Sequence, residues 1–67
     1  MSRHGTRSAA VLELARMLRS RDATSEVPLE RVAASAVVFD PASDPFRPWW
    51  VCGPFELEQL LWWMRAR

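Results

Sequence analysis

The sequence predicts a small single α+β domain in which two helices precede a β-hairpin and a third helix follows it. Apolar residues recur with helical spacing in the first half of the chain and again near its C-terminal end. Between these segments, β-branched and aromatic residues form two short runs, and a proline-rich segment separates the runs. A chain of 67 residues has room for one hydrophobic core, near the lower size limit for a stable monomer.

The N-terminal part predicts a basic arm followed by the first helix. Residues 1–7 are polar and predict a flexible basic arm, which leaves residues 8–67 as the compact domain. The first helix is predicted over residues 8–21. Its apolar stripe has i, i+3, i+4 and i+7 spacing and consists of Val11, Leu14, Ala15 and Leu18.

A shorter second helix is predicted after the polar connection 22–26. Pro28 suits the first turn of a helix, because its fixed φ is helical and its missing N–H is not needed there. Glu30 lies in the same turn, where a negative charge is favourable. The buried stripe of this helix consists of Leu29, Val32, Ala33 and Ala36, and the helix is expected to end near residue 35 or 36.

The hairpin and the third helix complete the predicted order helix, helix, strand, strand, helix. Residues 37–39 and 49–52 are predicted as strands, and the segment 40–48 between them contains three prolines and two aspartates. We expect an antiparallel hairpin with a long tip that packs on the helices. Pro54 then begins the third helix, whose apolar stripe consists of Leu57, Leu60, Leu61 and Met64.

The four tryptophans are the most informative feature of the sequence. On a helical wheel of about 100° per residue, Phe55 and Trp62 lie almost opposite the main stripe of the third helix, and Trp63 lies between the two sides. Neighbouring strand residues point to opposite faces, so Trp50 faces away from Trp49. These aromatic residues either fill a very small core or form a homodimer or partner interface. Arg47 and Arg65 are expected at the rim of that interface.

No pattern in the chain predicts catalysis or a cofactor. Cys52 is the only cysteine and His4 the only histidine, so neither an internal disulfide nor a zinc site with the usual four ligands is expected. Glu56 and Glu58 are two residues apart in a helix and diverge. The two glycines, Gly5 and Gly53, cannot form a phosphate-binding loop. The prediction is a non-enzymatic protein, and one unpaired thiol fits a reducing cytoplasm.

Nucleic-acid binding is the alternative interpretation. The first 21 residues contain five Arg and one Glu, a net charge of +4, whereas residues 22–67 contain four Arg and seven acidic residues, a net charge of −3. The segment 27–35 resembles a helix of small helix-turn-helix or winged DNA-binding regulators. The residues expected to hold phosphate in that case are Arg3, Arg7, Arg16, Arg19 and Arg31.

These observations predict a small regulatory or inhibitory protein that docks on a protein partner through an aromatic surface, as a homodimer. Its size and surplus of aromatic residues are similar to those of small phage- or plasmid-encoded modulators of host machinery. The expected partner-binding residues are Trp50, Phe55, Trp62 and Trp63, with Arg47 and Arg65 at the rim. Neither a membrane nor a small-molecule substrate is expected as a partner, because no apolar run approaches 20 residues and no catalytic set is present.

Overall fold

The structure, a computed structural model, describes residues 2–66, apart from the side chain of residue 54. The elements in chain order are β1 (Ser2–His4), α1 (Arg7–Ser20), α2 (Leu29–Ala36), β2 (Val38–Phe39), β3 (Trp49–Val51) and α3 (Pro54–Ala66). The predicted α+β class and the order helix, helix, strand, strand, helix are confirmed. One further strand, β1, precedes them.

Helix α1 supplies half of the buried core residues and is capped at both ends. At the N-terminus, the Thr6 hydroxyl accepts a hydrogen bond from the backbone N–H of Ala9 at 3.2 Å. At the C-terminus, Asp22 has a φ of 54°, and the next backbone N–H, that of Ala23, bonds to the carbonyl of Leu18 at 3.0 Å. This is the Schellman arrangement, with aspartate at the position that glycine usually occupies. The side chains that α1 buries are Ala10, Leu14, Ala15 and Leu18.

Helix α2 packs against α1 and is short because the chain becomes extended on both sides of it. Pro28 is the N-cap residue, just before the first helical turn in which we expected it. Val37 has extended φ and ψ angles, which ends the helix. The Nη2 group of Arg7 donates to the carbonyl oxygen of Ala34 at 3.1 Å, so α1 satisfies one of the last carbonyls of α2. Ala33 is fully buried between the elements.

The sheet has three antiparallel strands in the order β1-β3-β2. The predicted hairpin is present, with Val38 opposite Trp50 and Phe39 opposite Trp49. The backbone N–H of Asp40 donates to the carbonyl of Pro48 at 2.7 Å and extends the ladder into the loop. Side chains alternate between the two faces along a strand, and directly opposite residues share a face. One face of the sheet is directed toward α1 and the other is directed away from it.

The predicted flexible basic arm, residues 1–7, contains a strand at residues 2–4. Ser2–His4 form β1 and pair with β3, so β3 is the central strand. The physical reason lies in α1, because the Ser2 hydroxyl and the His4 Nε2 group each donate to one carboxylate oxygen of Glu13. Polar anchoring of this kind has no apolar periodicity, and the sequence pattern therefore did not reveal it.

The two faces of the sheet differ in what covers them. Val51 is fully buried against the helices, and Trp49 packs on the same core. Trp50 points to the other face, where its direct cross-strand neighbours are Arg3 and Val38. Val38 is 42% exposed, so this outer face remains partly open to solvent.

Helix α3 completes the core through the predicted stripe. Leu57 and Leu61 are buried, and Leu60 and Met64 are half-buried and pack against the same cluster. An ion pair between Arg21 and Glu58 connects the end of α1 to the middle of α3. The last helix therefore has one face on the core and one face in solvent.

The carboxylate of Glu13 makes the stability of the fold depend on pH. The hydrogen bond from Ser2, with a smaller effect of His4, holds the pKa of Glu13 below its ordinary value of 4.5. A lowered folded-state pKa gives a stabilisation that is complete above the unfolded-state pKa and is lost as the pH falls through the folded-state value. We expect Glu13→Gln to be less stable than wild type at neutral pH and equally stable once the pH is below the folded-state pKa of Glu13. Urea unfolding of both proteins over this pH range tests the prediction, and a pH-independent difference would contradict it.

Candidate functional site

Phe55 and Trp62 lie on one side of α3 and are its most exposed large hydrophobic side chains. Phe55 is 71% exposed and Trp62 is 70% exposed. They are seven residues apart, nearly two helical turns, so they lie on the same side and about 10 Å apart along the axis. The buried residues Leu57 and Leu61 lie on the opposite side. We call the surface formed by Phe55 and Trp62 the α3 aromatic face.

Trp63 and Arg65 lie beside this face, where α3 borders an open cleft. The cleft has a volume of about 1040 Å³ and lies between the C-terminal half of α3, helix α2 and the connection that precedes α2. Trp63 is 48% exposed. The other lining side chains include Val27, Val32, Met64 and the guanidinium group of Arg31. The exposed aromatic surface of α3 therefore continues from Trp62 through Trp63 to a groove with both apolar and charged walls.

The other two residues predicted to bind a partner lie on different elements. Trp50 is half-buried on the outer face of the sheet. Arg47 is exposed in the loop before β3, where its Nε atom is 3.6 Å from a carboxylate oxygen of Asp44. The structure thus places Phe55, Trp62, Trp63 and Arg65 together on α3 and assigns Trp50 and Arg47 to the sheet and its loop.

The sequence did not predict the exposure of two phenylalanines near the hairpin. Phe46 is 87% exposed at the tip of the hairpin loop, and Phe39 is 57% exposed on the edge strand β2, with its ring centroid 4.7 Å from that of Trp49. The carboxylate of Asp44 holds the loop by accepting the backbone N–H groups of Arg47 and Phe46 at 3.0 and 3.1 Å. These bonds lower the pKa of Asp44. An apolar ring within a proline-rich polar loop was the available signal for Phe46.

The arginines of the nucleic-acid interpretation do not form one basic face. Arg3 lies 3.6 Å from a carboxylate oxygen of Asp40, and Arg19 forms an ion pair with Glu30. Arg7 is bonded to α2 and lies over the Trp49 ring, 6.0 Å from its centroid. Arg7 and Arg16 are nine residues apart in one helix, which places them on opposite sides of it. The fifth residue, Arg31, lines the cleft beside α3.

The polar side chains of β1 are bonded to a carboxylate on α1. Ser2 bonds to one oxygen of the Glu13 carboxylate and His4 bonds to the other. Burial, together with the negative charge of Glu56, raises the pKa of the Cys52 thiol, which lowers the thiolate fraction at neutral pH. Within residues 2–66, no three His, Cys, Asp or Glu side chains form a cluster that could hold a metal ion.

Comparisons with known proteins give no family and no relative for this chain. No protein-family model matches it, and no curated protein or solved structure shows significant similarity to it. Among the described helices, none has the length and apolar character needed to cross a bilayer.

Proposed function

We propose that this chain is a small, non-enzymatic regulatory or inhibitory protein that docks on a protein partner through the α3 aromatic face. The observation that carries the proposal is the exposure of Phe55 and Trp62 on the side of α3 opposite the core. Two large rings in solvent leave apolar area in contact with water, and a partner that covers them recovers that hydrophobic free energy. Contiguous exposed apolar patches on small proteins mark interaction sites.

The chemistry of this face suits a protein partner. Tryptophan is enriched among the residues that dominate protein interfaces, because it supplies a large contact area at a small cost in rotamer entropy. Trp63 extends the apolar surface, and Arg65 places a guanidinium group at its edge, where it can stack on a ring or pair with a carboxylate. Trp50 and Arg47 form a separate candidate contact on the sheet side.

A non-enzymatic role in the cytoplasm is part of the same proposal. The single cysteine supports a reducing compartment, and the raised pKa of its thiol supports a structural role. The mutual geometry of Ser2, His4 and Glu13 supports a structural role for these residues as well, because their contacts hold β1 on α1.

Capture experiments with and without nuclease distinguish protein docking from nucleic-acid binding. We expect a tagged wild-type protein to retain a stoichiometric protein partner from lysate of its native host after nuclease treatment. Binding to a protein through apolar rings should depend only weakly on salt, whereas phosphate binding by several arginines would weaken steeply as salt rises. Recovery of nucleic acid, with loss of every companion protein after nuclease, would contradict the proposal and favour the arginine set.

A further inference from the structure

The exposed side of α3 carries opposite charges on either side of Trp62. Glu58 lies four residues before Trp62 and Arg65 three residues after it, so all three share one side of the helix. Phe55 continues the same stripe at the N-terminal end. The stripe therefore consists, in chain order, of an aromatic, an acidic, an aromatic and a basic side chain. An antiparallel copy of the helix presents the acidic and the basic side chain in the reverse order.

We propose that a second copy of this chain covers the Trp62 end of the α3 aromatic face, with the two α3 helices antiparallel. The inference rests on the proposed docking function and names the partner. A two-fold axis at the level of residues 61–62 brings the two Trp62 rings together. The same axis sets Glu58 of each copy level with Arg65 of the other, which gives two equivalent ion pairs along one flank. In parallel helices at the same level, Glu58 is level with Glu58 and Arg65 with Arg65, so no opposite charges meet.

The charges required for this pairing are accessible in the single chain. The Glu58 side chain is 53% exposed and bonds to Arg21 at the end of α1, and this pair is weak because both side chains are open to solvent. A carboxylate accepts several hydrogen bonds, so Glu58 can contact Arg21 and the guanidinium group of the second copy together. Arg65 makes no ion pair with any residue in the described range 2–66.

The size of the face indicates a weak dimer. Helix α3 has 13 residues and is roughly 20 Å long. One face of such a helix buries roughly half of the ~800 Å² per partner that a standard stable interface needs. The α3 contact is therefore a weak and exchanging association. Its binding free energy comes mainly from the two Trp62 rings, one from each copy, and from the two reciprocal ion pairs.

Reciprocal charge reversal tests this arrangement. The first variant is Arg65→Glu, which leaves an acidic side chain at both positions 58 and 65. The second is Glu58→Arg combined with Arg21→Glu, which makes both positions basic and retains the bond between α1 and α3 with its charges exchanged. Each variant alone opposes like charges twice in its own dimer, and we expect sedimentation equilibrium to show a dimer Kd raised about tenfold or more.

Mixing the two variants restores the charge pairing. In a heterodimer, position 58 of each copy again faces a side chain of opposite charge at position 65 of the other copy. We expect an equimolar mixture to form heterodimers with about the wild-type Kd, although neither variant associates well by itself. A loss of folding in either variant would appear in its circular dichroism spectrum and would not be reversed by mixing.

The possible outcomes separate this inference from the proposed function. Weakening in each variant and recovery in the mixture support the second copy. A wild-type protein that stays monomeric, or a mixture that does not recover, overturns it. If that result is accompanied by Trp62-dependent capture of a different protein, docking through the α3 aromatic face stands and only the identity of the partner is wrong. If Trp62→Ala changes neither self-association nor capture, both proposals fail.

Discussion

Replacing Leu14 by alanine is expected to destabilise the fold by about 2–5 kcal/mol. Leu14 is fully buried in the middle of α1 and is among the largest fully buried side chains of the protein. Its removal loses apolar burial and leaves a cavity that helix α1 and the sheet cannot close without moving. A domain of this size has a total stability of roughly 3–10 kcal/mol, so the loss can equal much of it.

The matched control for this change is two residues away. Leu12→Ala removes the same atoms from the same helix, but Leu12 is 59% exposed, and we expect a change within about 0.5 kcal/mol. Urea unfolding followed by circular dichroism measures both variants. Equal destabilisation of the two would contradict the placement of the core.

Replacing Trp62 by alanine is expected to weaken partner binding by about 30-fold or more, with little change in folding stability. Trp62 is 70% exposed, so the folded monomer loses little packing when the ring is removed. An interface that buries the ring loses a large apolar contact. Titration of the captured partner, or of the protein against itself, gives the affinity of the wild type and the variant.

Phe46→Ala is the control for non-specific binding by exposed aromatic rings. Phe46 is 87% exposed, but it lies at the hairpin tip and not on α3. We expect the affinity of the Phe46→Ala variant for the partner to remain within about twofold of wild type. Equal losses in both variants would show that binding follows the exposed apolar area as a whole and not the α3 aromatic face.

The helices could be predicted because their buried stripes are regular. Leu14 and Leu18 in α1, and Leu57 and Leu61 in α3, repeat at the helical spacing, and burial of one face determines how each helix is oriented. The hairpin was also predictable, because β-type residues flank a loop in which proline excludes regular structure.

What the sequence did not reveal depends on contacts between distant or atypical residues. Strand β1 is polar, and its place is determined by pairing with β3 and by the Glu13 carboxylate on another element. Helix α1 ends at its C-terminus with Asp22 in a left-handed conformation, a position where glycine is the residue that usually predicts a helix end. The carboxylates that pair with Arg3 and Arg19 are 37 and 11 residues away in the chain, beyond any local pattern.

The site was predictable in part for the same reason. The wheel position of Phe55 and Trp62 follows from the helical period, so their exposure opposite the core could be derived before the fold was known. The separation of Trp50 from this group could not be derived, because it depends on how the hairpin sits relative to α3. Exposure of Phe46 depends on the loop conformation that Asp44 maintains.

Site-specific photo-crosslinking tests the docking proposal most directly. A photoreactive phenylalanine derivative such as p-benzoylphenylalanine replaces Trp62 in one protein and Phe46 in another, and both are irradiated in host lysate. We predict a discrete covalent adduct with a protein, either a second copy or another chain, from position 62 and none from position 46. Adducts from position 46 alone, or from neither position, would contradict docking through the α3 aromatic face.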